Sequence, residues 1–268
     1  MIAFEGARRA IRRLLYEHYH MTSIKSLLFQ LVPTSYRARM YNRQQRREIE
    51  EHPDRALIVW KRENSSQLCY VFHGLRGGLM MQPLRVFHET GLIHTNLILL
   101  KDYYHFFYHA GLNREITDVD AIIARLRRCR KELPHVRQTF CFGSSSGGYA
   151  AILFGHYLNV DIVYAFGPAT LITLDVARNV GRKDVWRITE QHRDLARLLA
   201  KHNGRTRYKI FYCDGCGRDR NDAQHLQGLP GVELYPQPGN THLVISAMYE
   251  SGRLREIFDT APSGATVK

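Results

Sequence analysis

A chain of 268 residues, 44% of them hydrophobic and without a polar low-complexity tract, has the size and apolar content for one domain with a sizeable core. No apolar run nears the roughly 18 residues of a membrane-crossing helix, and five cysteines, an odd number, do not make a disulfide framework. Helical membrane proteins and disulfide-stapled secreted scaffolds are thereby excluded, a reducing cytoplasmic setting is expected, and the net charge of +13 anticipates anionic partners.

The charge is gathered at one end: residues 1–50 hold ten Lys/Arg against four Asp/Glu. Residues 2–18 predict an amphipathic helix, with Phe4, Ala7, Ile11, Leu14 and Leu15 on one stripe and Arg8, Arg9, Arg12 and Arg13 opposite. Ile24 to Val32 is too short and interrupted for a signal peptide, and no small-residue cleavage site follows it. Pro33 breaks the pattern, and Tyr36 to Glu51 predicts a second, very polar helix. These elements have too little apolar surface for a core of their own. Residues 1–54 are therefore expected to form a basic helical extension. Its apolar stripe is expected to pack on the body or on a second copy of the chain. Peripheral attachment to an anionic membrane surface is the alternative, since Arg opposite Phe and Leu suits an interfacial helix. The basic face carries no nucleic-acid recognition motif, so no specific nucleic acid is expected.

From residue 56 the texture changes. Seven short β-rich runs follow: 56–60, 68–72, 95–100, 138–142, 160–166, 208–213 and 232–235. They are nearly continuous in apolar residues, as strands of a parallel sheet covered on both faces are. Helical patterns at 118–133, 146–158, 184–201 and 243–258 alternate with them. The expectation is an α/β fold over residues 55–260: a mostly parallel, doubly wound sheet, with residues 261–268 as a disordered tail. In such a sheet the chemistry sits at the carboxyl ends of the strands.

Three strand ends carry it. Phe140 to Phe154 reads as a strand, then Gly143-Ser-Ser-Ser-Gly147, then an Ala-rich helix. This is G-x-S-x-G on a sharp strand-to-helix turn, which exposes a serine as a nucleophile. Of the three serines only Ser145 has glycine two residues before and two after, where a Cβ would clash in a tight turn. His242, in Pro238-Gly-Asn-Thr-His-Leu-Val244, follows the last strand and precedes the last helix, where it could act as general base. Asp214, Asp219 and Asp222 follow the strand ending at Cys213 and are the candidate acids. A Gly-rich turn, Phe72-His-Gly-Leu-Arg-Gly-Gly78, ends an earlier strand. Two other patterns read as structural. His105 and His109 are four apart within Tyr103-Tyr-His-Phe-Phe-Tyr-His109, but no third ligand accompanies them, so aromatic packing near the site mouth is expected. Cys213-Asp-Gly-Cys216 lacks a second ligand pair. No metal and no cofactor is expected.

With these residues in hand, the region 56–258 resembles the α/β-hydrolase superfamily of serine-nucleophile type. More narrowly, it resembles small bacterial hydrolase-like proteins associated with surface-polysaccharide genes. Lys101-Asp102, Tyr108-His-Ala-Gly111, Ala165-Phe-Gly-Pro168, Asp222-Ala-Gln-His-Leu226 and Gly252-Arg-Leu254 carry the narrower likeness. The resemblance implies a triad in chain order Ser145, acid, His242, with Asp222 favoured because the acid commonly opens a helical stretch after a loop. It implies an oxyanion hole from the N–H of Ser146 and of Leu75 or Gly74. It also implies a small lid at most, within residues 168–183. The function it implies is hydrolysis of an acyl ester of a small molecule or saccharide. Acyl transfer by the same triad and a non-catalytic binding module are the alternatives.

Overall fold

The computed structural model describes residues 47–75, 77–173, 188–202 and 204–258. The anticipated helix at 2–18, most of the one at 36–51, residues 174–183 of the lid region, the first four residues of the helix anticipated at 184–201 and the 261–268 tail lie outside them.

All seven anticipated strands form and join one sheet. They are β1 (Leu57–Trp60), β2 (Gln67–Phe72), β3 (Asn96–Leu100), β4 (Gln138–Ser144), β5 (Ile162–Phe166), β6 (Arg207–Cys213) and β7 (Val232–Gln237), in the order β1-β3-β2-β4-β5-β6-β7. Only β1 runs antiparallel to its neighbour; every other pairing is parallel. The helices are α1 (Pro83–Glu89), α2 (Val119–Lys131), α3 (Ser146–Leu158), α4 (Glu190–Arg193), α5 (Leu195–Leu199), α6 (Gly217–His225) and α7 (Val244–Glu250).

The apolar runs divide by the two-residue period of a strand. Leu68, Tyr70 and Phe72 of β2 join one core with α2 and α3, whereas Cys69 and Val71 join the other with α1 and α7. Both faces of the central strands are thus covered, which is why these strands carry so few polar residues. Helix α3 is the most enclosed element, buried from Ser146 to Gly155. Its small residues let it lie close to the sheet: a Cβ on Gly155 would stand 2.4 Å from a Val163 methyl.

Three departures from the sequence expectation have local causes. α1 begins with Pro83 at a position where its missing N–H costs no bond, a start signal that its seven residues hardly advertise. The helix expected at 184–201 is two short helices within the described residues. Asp194 divides them and caps α5, its carboxylate accepting from the N–H groups of Ala196 and Arg197. The C-terminal helix stops at Glu250, because Gly252 adopts a left-handed φ of 76° before a 3-10 turn. Among the described residues no helix is long and apolar enough to cross a membrane.

Candidate active site

Ser145 stands between β4 and α3 with φ 56° and ψ −123°, a conformation that L-residues rarely adopt. The flanking glycines permit it. A Cβ on Gly143 would lie 2.1 Å from the Gly147 carbonyl oxygen, and one on Gly147 would lie 2.1 Å from the Phe72 oxygen. The turn is therefore packed backbone on backbone. Ser144 and Ser146 are buried, and their hydroxyls find no partner among the described residues; Ser145 is only half-buried.

The hydroxyl of Ser145 lies 2.9 Å from His242 Nε2. On the far side of the ring, Nδ1–H donates to Asp219 Oδ1 at 2.6 Å. The carboxylate dictates this tautomer: an ionised acceptor takes the Nδ1 proton, which leaves Nε2 with the lone pair facing Ser145. His242 remains about one-third exposed while Asp219 is 1% exposed. Gly167, at the end of β5, makes room for the pair. Its φ is 51°, and a Cβ there would stand 3.0 Å from Asp219 Oδ2 and 3.2 Å from His242 Nδ1.

Asp222 does not face His242, contrary to the sequence expectation. Its Oδ1 accepts from the Thr170 N–H at 3.0 Å and from the Thr170 hydroxyl at 2.9 Å. The cause is where α6 begins. The chain turns tightly after Cys213 and enters the helix at Gly217, so Asp219 falls in the first turn, close to the strand end, while Asp222 is already one turn along. Asp214 is exposed at the strand end, with its N–H bonded to the Gln237 carbonyl.

The turn after β2 approaches the serine, as anticipated: a Cβ on Gly74 would lie 3.7 Å from Ser145 Cβ. Gly74 is excluded as a donor, however, because its N–H is bonded to the Gly78 carbonyl at 2.9 Å. Of the three anticipated donors, the N–H groups of Leu75 and Ser146 remain.

This turn is held from behind by residues that the sequence reading did not put to use. Tyr108 donates its hydroxyl to the His73 carbonyl at 2.9 Å and to that of Leu100 at 3.1 Å, and His73 Nδ1–H donates to Leu100 at 2.9 Å. Asp102 Oδ2 accepts from the N–H groups of Phe106 and Tyr108 at 2.6 and 3.0 Å, which fastens a loop where His105, Phe107 and Tyr108 all have positive φ. Burial pushes the Asp102 carboxyl up to about 6 against the opposing pull of these backbone donors. Lys101 lies beside this loop, its Nζ 4.2 Å from the centre of the Tyr103 ring. The aromatic run packs inward, Phe72 meeting Tyr108 and Phe107 meeting Tyr149 edge to face. His109 Nε2–H donates to the Tyr149 hydroxyl at 2.9 Å, and burial lowers its pKa to about 3, so it stays neutral in the core. Among the described residues no group of three His, Cys, Asp or Glu side chains could hold a metal ion.

The fold that carries this site is shared with solved structures. MGS-MChE2, an α/β hydrolase enzyme from the metagenome of Mar Chica lagoon sediments in Morocco, matches at a TM-score of 0.51 and 16% identity, over 76% of this chain and 94% of that one. The chain adopts the α/β-hydrolase fold. Est1E from Butyrivibrio proteoclasticus, with ferulic acid bound, has the same α/β-hydrolase architecture at a TM-score of 0.53 and 14% identity, over 75% of this chain and 93% of its own. The capsule O-acetyltransferase of Neisseria meningitidis serogroup A matches at 0.53 and 13% identity, over 74% and 90%. No family model and no curated protein matches the sequence of this α/β-hydrolase-fold chain.

Proposed function

We propose that this protein is a serine enzyme that transfers acyl groups, with hydrolysis of a carboxylic ester as its reaction. The observation that carries the reading is the unbroken hydrogen-bonded line from Asp219 through His242 to Ser145, at 2.6 and 2.9 Å. A fold of this kind also serves proteins without catalysis, but two polar groups, Asp219 and His242, aligned on one strained, half-buried serine have no structural task that would demand them.

In the proposed mechanism Ser145 Oγ attacks the ester carbonyl while its proton passes to His242 Nε2. Asp219, ionised and buried, stabilises the imidazolium through the Nδ1 bond. The carbonyl oxygen becomes an oxyanion held by the N–H groups of Ser146, at the start of α3, and of Leu75. Such preorganised donors usually supply the largest electrostatic contribution. As the tetrahedral intermediate collapses, His242 returns the proton to the leaving alkoxide. Water, activated by the same histidine, then attacks the acyl-serine and regenerates Ser145.

The second reading replaces that water by an alcohol, which makes the enzyme an acyltransferase. The likeness to the capsule O-acetyltransferase supports this reading, and supports a saccharide hydroxyl as the alcohol in either direction of the chemistry. A fluorophosphonate probe tests the common step. The wild type should gain a single adduct by intact mass, and Ser145→Ala should gain none. An adduct that survives in Ser145→Ala but vanishes in Ser144→Ala or Ser146→Ala would overturn the assignment. Release of the acyl group to water or to added saccharides then separates the two readings.

A further inference from the structure

β2, β4 and β5 run side by side, and Ser145 stands just beyond the end of β4. At their opposite edge, where these strands begin, the last turns of α2 and α3 border a cleft of about 370 Å³. Five cationic side chains line it, Arg127, Arg130, Lys131, Arg137 and Arg205, against one carboxylate, Asp161.

Part of this charge serves the fold. Arg127 donates to the Tyr157 carbonyl at 3.0 Å, and Arg130 donates to those of Leu133 and Val136 at 2.8 and 2.6 Å. These carbonyls lie at and beyond the C-terminal ends of α3 and α2, where cations also oppose the helix dipole. The carboxylate is engaged as well: Asp161 Oδ2 accepts from the Thr139 N–H at 2.8 Å and from its hydroxyl at 3.1 Å, tying β4 to β5. Lys131, Arg137 and Arg205 remain. Each is exposed, and none has an ion pair or side-chain hydrogen bond among the described residues. Like charges gathered around one concavity repel one another, and a bound anion relieves that repulsion.

We propose that this cleft is a second binding site, for a small phosphate-bearing anion. Guanidinium groups present paired N–H donors that match two phosphate oxygens, and Lys131 adds a point charge. The volume is that of a small-molecule site rather than a polymer groove. Leu158, partly exposed, also lines the cleft and offers apolar surface to the organic part of the ligand. The site is separate from the chemistry. Ser145 is six residues on from Thr139 along the line of β4, and six steps of ~3.3 Å place the two about 20 Å apart. A ligand here acts as an effector or a remote anchor, and its phosphate is not the group that meets Ser145.

Pyrophosphate, titrated calorimetrically into the full chain at physiological salt, tests the assignment. Saturable one-to-one binding is expected, weakened at least tenfold in Arg137→Gln/Arg205→Gln. Arg85→Gln/Arg114→Gln, which removes the same charge outside the cleft, should leave it within twofold. Both changed positions in the cleft are exposed, so the variant should fold. Absence of saturable binding, or equal weakening by the two double variants, overturns the proposal. So does binding to phosphatidylglycerol vesicles that depends on Arg137 and Arg205 without any pyrophosphate binding, which would assign the charge to a membrane surface. None of these readouts depends on ester turnover, so the site stands or falls apart from the proposed catalysis.

Discussion

Replacing Asp219 by Asn removes one negative charge and leaves the shape of the side chain almost unchanged. Asp219 Oδ1 stands 2.6 Å from His242 Nδ1, and the carboxylate is 1% exposed, so no water can take its place without rearrangement. An amide can turn its NH2 group toward the ring. The imidazole then keeps its proton on Nε2 and presents an N–H, not a lone pair, to Ser145, 2.9 Å away. The base is lost and the imidazolium has no counter-charge. A loss of about 10⁴ in kcat is expected where a carboxylate holds this position, equivalent to roughly 5.5 kcal/mol of transition-state stabilisation. Asp222→Asn should differ sharply. Its oxygen can still accept from the Thr170 N–H and hydroxyl, so activity should stay within about threefold of wild type, with a Tm change of only a few degrees. Hydrolysis of short-chain p-nitrophenyl esters, together with the rate of fluorophosphonate labelling, measures both variants. Full activity in Asp219→Asn, with the large loss in Asp222→Asn, would refute the reasoning.

Three further outcomes are expected. Ser145→Gly should abolish labelling yet raise stability by about 1 kcal/mol in chemical denaturation, because glycine relieves the strain at φ 56°. Gly167→Ala should lower kcat roughly 10- to 100-fold with a smaller change in KM. Its Cβ would sit 3.0 Å from Asp219 Oδ2 at a φ of 51°, and small displacements of a catalytic pair cost about that much. Asp102 binds its proton more tightly in the folded chain, at about 6, than in the unfolded one, near 3.8. The folded state therefore holds more protons between those values, and stability falls as pH rises through that window. Measured by urea denaturation from pH 4 to 7, wild type should lose up to about 3 kcal/mol relative to Asp102→Asn; parallel pH profiles for the two would count against this account.

The strands were legible because burial on both faces demands apolar runs, and runs as short as Leu68 to Phe72 and Leu97 to Leu100, rich in β-formers and bounded by polar or turn residues, suit strands better than helices. Ser145 was legible for a steric reason, since Gly143 and Gly147 mark where backbone meets backbone. His242 was legible from its place between the last strand and the last helix. Asp219 was not. Choosing among three aspartates over nine residues needs the first residue of α6, and a helix that begins Gly217-Arg-Asp-Arg, with no capping side chain, gives little sign of its start. Asp102 and Tyr108 were also hidden in their roles. What they do depends on a loop of left-handed residues whose path no periodic pattern announces. Gly167 is one of twenty glycines until Asp219 and His242 are seen against it.

The three groups of the proposed relay rest on parts of the molecule that differ in resistance to local opening. Ser145 is fixed to α3, whose first ten residues are buried and which packs against β2, β4 and β5 at the centre of the sheet. Asp219 rides on α6, a mostly polar helix beside β6, and His242 on a loop between the half-buried edge strand β7 and the short α7. Local opening costs least where few apolar contacts must break, so the edge carrying His242 opens first on warming while the elbow keeps its shape. Heat inactivation should therefore precede global unfolding, and it should be reversible as long as the central strands and α3 stay closed.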